Sequence, residues 1–249
     1  MSPVPPVDLD HFEAVLFDLD GVLTATAKVH AACWKQAFDE FLQRRAAKNK
    51  ETFRPFDIKT DYEDYVDGKP REDGVRSFLQ SRGIELPQGN PDAPPDLETI
   101  GGLGNRKNEL FNQALESKGV EVFAGSVAWL RQLRQAGIKT AVVSSSKHCQ
   151  AIIKVAGIAD LFDARVDGNV AEKLNLKGKP APDTYLKAAE MVGVPPRRAV
   201  VVEDALAGVE AGRNGGFGLV IGVDRQGDAE ALRQHGADLV VTDLKKLLS

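Results

Sequence analysis

Ala14-Val15-Leu16-Phe17-Asp18-Leu19-Asp20-Gly21-Val22-Leu23-Thr24 decides the fold. Four apolar residues run without interruption and then meet two acids spaced two apart. A continuous apolar run of this length suits a strand buried on both faces, as in a parallel sheet. The same grammar recurs downstream. Thr140 to Val143 stops at Ser144-Ser145-Ser146, and Ala199 to Val202 stops at Glu203-Asp204. Gly218 to Val223 and Ala237 to Val241 supply two more strand candidates.

Helical patterns alternate with these runs. Ser126 to Ala136 places Val127, Trp129, Leu130 and Leu133 on one face and stops at Gly137. Pro182 to Val192 does the same and stops at Gly193, and Ala207 to Arg213 and Ala229 to His235 are two shorter candidates. Strand and helix in alternation over 121–249 predict an α/β fold, a doubly wound parallel sheet with a Rossmann-like core. Residues 27–120 hold no clear buried strand. Val29, Ala32, Cys33, Ala37 and Phe41 mark one helical face, and a second helix is predicted from Pro70, as a first helical residue, to Gly83. Pro87 to Pro95 reads as loop, and Lys107 to Ser117 as a third helix. The predicted organisation is a core of 1–26 and 121–249 with a helical cap, 27–120, inserted after the first strand.

Composition is that of a globular protein, 43% hydrophobic and 27% charged, with a net charge of −4. That charge argues for neither nucleic acid nor an anionic membrane as partner. No stretch reaches the ~20 apolar residues that span a bilayer. Met1 to Asp10 lacks the basic-then-apolar order of a signal peptide. Cys33 and Cys149 have no metal-ligand spacing and read as reduced thiols, so a cytoplasmic protein is expected.

Ligands of open α/β sheets bind beyond the carboxyl ends of the strands, where these polar clusters lie. Asp18 and Asp20 point the same way in extended backbone, so both carboxylates can serve one pocket as nucleophile, proton carrier and Mg²⁺ ligands. The plainer alternative is an Asp-Gly turn. Ser144 can offer a hydroxyl and a backbone N–H to a phosphate, or be part of a polar loop. Lys179, in Gly178-Lys179-Pro180-Ala181-Pro182, can neutralise a transferring phosphate or be a surface lysine. Glu203-Asp204 can add hard oxygen ligands or cap a helix.

Taken together and in this order, Asp18-x-Asp20, Ser144, Lys179 and Glu203-Asp204 resemble the four-motif signature of the haloacid dehalogenase-like superfamily over essentially the whole chain. The resemblance implies that Asp18 is a nucleophile forming an aspartyl-phosphate. It makes Asp20 the general acid/base and a metal ligand through its backbone carbonyl. Ser144 and Lys179 would bind the phosphoryl group, Ser146 would contact the substrate, and Asp204, with Glu203 supporting, would complete a Mg²⁺ site. Within that superfamily the chain looks most like the β-phosphoglucomutase group. Thr26, His30 and Trp34 follow Asp20 at that group's spacing, and Tyr65-Val66-Asp67-Gly68-Lys69-Pro70-Arg71 resembles its cap signature. Thr26, His30, Trp34, Gly68, Arg71 and Lys107 are thereby implied as sugar-phosphate contacts, with Arg71 on the phosphate that is not transferred. Read alone, Arg71 can pair with Glu72 or Asp73, His30 can be a helix-face histidine, Trp34 core packing, and Thr26 a helix cap. The sequence departs from the group at Ala25, His148 and Ala205 and in the Pro87–Pro95 loop. The implied activity is a mutase interconverting β-glucose 1-phosphate and glucose 6-phosphate through a bisphosphate, in a monomer whose partner is a phosphorylated sugar. A phosphatase, with water as acceptor, uses the same residues, and a non-catalytic sugar-phosphate binder is the third reading.

Overall fold

A computed structural model describes residues 11–248; the reading of Met1 to Asp10 lies outside them. The chain forms two compact units, one of residues 1–25 and 120–249 and the other of residues 26–119.

The first unit is built on a six-stranded sheet in which every neighbouring pair is parallel. The strands are β1 (Ala14–Phe17), β2 (Lys139–Val143), β3 (Ala164–Val166), β4 (Ala199–Glu203), β5 (Leu219–Val223) and β6 (Leu239–Val241), in the order β3-β2-β1-β4-β5-β6. The chain steps outward one way from β1 to β3 and the other way from β4 to β6. Its switch point therefore falls between β1 and β4, the place where open α/β sheets bind ligands. Register sharpens this: Phe17 pairs with both Val142 and Val202. Asp18, Val143 and Glu203 consequently leave the sheet at one level.

All four residues of β1 are buried, as a central parallel strand requires. Ala14 and Leu16 join a cluster with Tyr185, Ala188, Val201 and Phe217. Phe17 meets Trp129 edge-on at 5.6 Å. Trp129 lies on the helix Ala124–Gln135 and Tyr185 on Asp183–Val192. Leu206–Asn214 and Ala229–Gln234 are the two shorter helices expected. The strand β3 and the helices Cys149–Val155 and Gly168–Leu174 are additions to the sequence-based reading. Three to seven residues are too few for a period to show, and Arg165 interrupts the apolar run of β3.

The second unit contains α1 (Thr26–Asn49), α2 (Thr60–Tyr65), α3 (Arg71–Ser81) and α4 (Ile100–Lys118), with no strand among its described residues. Phe38 is its centre, stacked on Trp34 at 5.1 Å and Phe56 at 5.1 Å and tilted on Phe78 at 4.3 Å. Two expectations need correction. Pro70 is the N-cap of α3, with ψ 146°, and Arg71 is the first helical residue. The helix predicted from Lys107 begins at Ile100, capped by the Thr99 hydroxyl, which accepts from Gly102 N at 2.9 Å. Gly101, Gly102 and Gly104 lie where neighbours come close: a Cβ at Gly102 would run into the Leu97 carbonyl, and one at Gly104 would lie 3.2 Å from Arg71 Nε.

Candidate active site

Asp18 continues the β1 ladder, its N–H donating to Val202 O at 2.9 Å, so its side chain is aimed by the sheet itself. The carboxylate is buried, and its Oδ1 accepts from Lys179 Nζ at 2.5 Å. Lys179 is 3% exposed and reaches Glu203 Oε1 at the same distance. The Tyr185 hydroxyl donates to that Glu203 oxygen at 2.8 Å, and the Lys179 ammonium lies 5.1 Å from the centre of the Tyr185 ring. One buried ammonium thus joins two strand-end carboxylates, and a phenol from the neighbouring helix holds the assembly in place.

Glu203 also braces the turn that follows β4. Its second oxygen accepts from Asp204 N at 3.1 Å and Ala205 N at 3.3 Å, which begins the turn into Leu206–Asn214. Its carboxylate rests against the bare Cα of Gly208, where a Cβ would collide with it. Glu203 is fully buried, whereas Asp204 is partly exposed.

Burial drives the Asp18 carboxyl well above its usual value; Lys179 opposes this, and Glu203 and Asp20 push further up. Burial also works against the Lys179 ammonium, but Asp18 and Glu203 outweigh it and raise lysine above its ordinary value. Burial and the same two acids raise the Tyr185 phenol, which stays a neutral donor. Carboxylate oxygens of Asp18, Glu203 and Asp204 lie within 4.8 Å of one another. A single ammonium among three acids leaves an excess of negative charge on hard oxygen donors, and this fits a divalent cation.

Asp20 is outside that trio of carboxylates. Its Oδ2 instead accepts from Ser144 Oγ at 3.3 Å, tying the second acid of the motif to the end of β2. Ser144 is buried, with its N–H donating to Val166 O at 3.0 Å. Ser146 N donates back to Ser144 Oγ, and Ser146 Oγ accepts from His148 N, each at 3.1 Å. The triple serine is therefore a hydroxyl-braced turn. The loop and phosphate-binding readings of it are compatible.

Within the second unit, His30 and Lys107 meet in a buried contact between α1 and α4, with His30 Nδ1 2.5 Å from Lys107 Nζ. His30 stacks on Phe111 at 3.9 Å, and the Lys107 ammonium lies 4.6 Å from the centre of that ring and 5.4 Å from that of Trp34. Trp34 itself is 5% exposed and belongs to the unit's hydrophobic core, its packing alternative. Thr26 is buried at the start of α1, and Arg71 opens α3 with its side chain along Gly104. Gly68 takes φ +70°, a left-handed conformation that favours glycine.

Tyr185, Gly208 and Arg225 escape a sequence reading. The apolar helical pattern absorbs Tyr185, Gly208 matters through the fold of the turn that brings Glu203 onto it, and Arg225 through contacts far away in sequence. Cys33 and Cys149 are buried and form no disulfide, and no described helix is long and apolar enough to cross a membrane.

The model of the haloacid dehalogenase-like hydrolase family matches residues 12–216. A β-phosphoglucomutase of Mycobacterium bovis is 52% identical over 238 residues, which cover 94% of this chain and 91% of that protein. One from Bacillus subtilis is 32% identical over 236 residues, with 94% and 91% covered. Among solved structures, β-phosphoglucomutase from Clostridium difficile superposes with a TM-score of 0.74 at 26% identity, covering 95% of this chain and 93% of that one. Matches that run through the strand ends and the inserted helices alike leave one assignment: the chain belongs to the haloacid dehalogenase-like hydrolase family and, within it, to the β-phosphoglucomutase group.

Proposed function

We propose that this protein is a β-phosphoglucomutase, converting β-glucose 1-phosphate to glucose 6-phosphate through phospho-Asp18 and a bisphosphate. The observation that carries the reading is the 52% identity to a β-phosphoglucomutase across 94% of the chain. The site supports it chemically. Asp18 attacks the phosphorus of the bisphosphate, and Asp20 gives its proton to the departing sugar oxygen. Asp20 then takes the proton of the incoming sugar hydroxyl, which attacks phospho-Asp18 and regenerates the free carboxylate. Lys179 and Ser144 offset charge on the phosphoryl oxygens as they spread in the transition state. Asp18, Asp204 and the backbone carbonyl of Asp20 are the groups assigned to hold Mg²⁺, which when bound supplies charge neutralisation to the phosphoryl group. Glu203 is assigned to the position and charge of Lys179. Arg71 and Lys107 are the cations assigned to the phosphate that stays in place and to the sugar, with His30, Thr26 and Gly68 beside them. The enzyme is expected to work as a monomer in the cytoplasm.

The test is an incubation with Mg²⁺, a trace of glucose 1,6-bisphosphate and β-glucose 1-phosphate, following glucose 6-phosphate against free phosphate. Glucose 6-phosphate in large excess over free phosphate is expected. Phosphate release without glucose 6-phosphate would make the protein a phosphatase and end the mutase reading.

A further inference from the structure

The turn that carries Asp20 is short, sharply bent and needs its carbonyls satisfied. Leu19 O accepts from Leu23 N at 2.9 Å and Thr24 N at 3.0 Å, and Thr24 O from Gly21 N at 2.7 Å. Leu23 O accepts from Phe123 N at 2.9 Å. Gly21 O and Val22 O are both served by one side chain. Arg225 Nε donates to Gly21 O at 2.7 Å and its Nη2 to Val22 O at 3.4 Å, while Nη1 reaches Thr242 O at 3.3 Å. Its guanidinium carbon lies 3.6 Å from the centre of the Phe123 ring, whose own backbone is bound to Leu23.

Arg225 is itself held rigidly. It follows β5 by two positions, in a turn where Asp224 Oδ1 accepts from Gln226 N at 3.1 Å, Gly227 N at 2.6 Å and Asp228 N at 3.1 Å. Asp224 N donates to Val241 O at 2.8 Å, so the far end of the sheet anchors the clamp. Gly21 has φ +89°, and a Cβ there would collide with the Asp204 carboxylate. Moving the turn therefore moves two groups together: the Asp20 carboxylate, and the surface on which Asp204 rests.

We propose that Arg225 is a positioning residue for the acid/base step, clamping the Gly21 and Val22 carbonyls so that the Asp20 carboxylate keeps its place at Ser144. A planar fork satisfies two carbonyls and stacks on an aromatic ring in one fixed geometry, which lysine cannot reproduce. The inference rests on the assignment of Asp20 as general acid/base.

The experiment measures kcat and KM for R225A, R225K, D20N and D20N/R225A, each with thermal unfolding, and repeats R225A with millimolar guanidinium. In R225A, kcat is expected to fall roughly 10- to 100-fold with KM little changed, because a group displaced by a fraction of an ångström loses rate before it loses affinity. Guanidinium should restore several-fold activity to R225A, whereas a variant that is merely less folded would lose more. R225K keeps the charge without the fork and is expected to lose about tenfold; it carries the test if R225A does not fold. In the D20N background R225A should add little, since both act on one step. Unchanged kcat in folded R225A or R225K, no rescue by guanidinium, or a full additional loss in D20N/R225A would overturn the proposal. If D20N alone keeps wild-type kcat, the acid/base reading of Asp20 is the part that fails.

Discussion

At the scale of the residue, the chemistry turns on how Asp18 differs from an ordinary surface carboxylate. It shares Lys179 with Glu203, and that pairing leaves it both aimed and electrically unfinished. Asp18→Asn removes the nucleophile but keeps the shape. It is expected to cut glucose 6-phosphate formation by at least about 1,000-fold while circular dichroism and the unfolding transition remain those of a folded protein. Measurable turnover in that variant would remove Asp18 from its role. Gly208 is a second single-residue test. In Gly208→Ala a methyl must displace the Glu203 carboxylate that Lys179 and Tyr185 hold. A loss of about 1–3 kcal/mol in denaturant unfolding is expected, together with lost activity.

At the scale of the element, α1 and α4 in the second unit are held by more than apolar packing. Arg106 meets Glu40 through two bonds, Nε to Oε2 at 2.8 Å and Nη2 to Oε1 at 3.0 Å. The hydrogen bond from Arg106 is the chief reason that the Glu40 carboxyl lies below its ordinary value of 4.5. A carboxylate depressed in the folded state contributes its stability in full above the unfolded value and loses it as pH falls through the folded one. Glu40→Gln should therefore cost about 0.5–1 kcal/mol at neutral pH, and the gap between variant and parent should close under acid. Thermal unfolding at a series of pH values measures it, and a gap that persists at low pH would count against the pairing. Elements also show how far a sequence can be read. β1 was legible because its apolar run is unbroken and ends at two acids, and the helix Asp183–Val192 because its apolar residues recur at helical spacing. The edge strand β3 was not, because three residues with Arg165 in the middle carry no period. The first turn of α4 lies outside the helix read from Lys107, and it holds Gly102 where the Leu97 carbonyl comes close.

At the scale of the whole molecule, the strand-end acids are proposed to receive a cation, and folding should then be coupled to that binding. Mg²⁺ at about 100 times its Kd should stabilise the native state by about 2.7 kcal/mol. The expected observation is a rise in Tm with added Mg²⁺, reversed by chelation, and reduced in Asp204→Asn. A Tm indifferent to Mg²⁺ would contradict the assignment. The parallel α/β core, the helical character of residues 26–119 and the three strand-end polar clusters were decided by local order along the chain. A strand buried on both faces must be apolar throughout, and polarity can return only at its ends. Tertiary structure alone decided the company those ends keep. It put Glu203 on Lys179, Tyr185 beneath both, Ser144 on Asp20, and Arg225 across the Asp20 turn. Apart from Tyr185 and Lys179, none of these pairs is close in sequence. They meet because the sheet's register brings the ends of β1, β2 and β4 to one level, and register is a property of paired strands that no single strand contains.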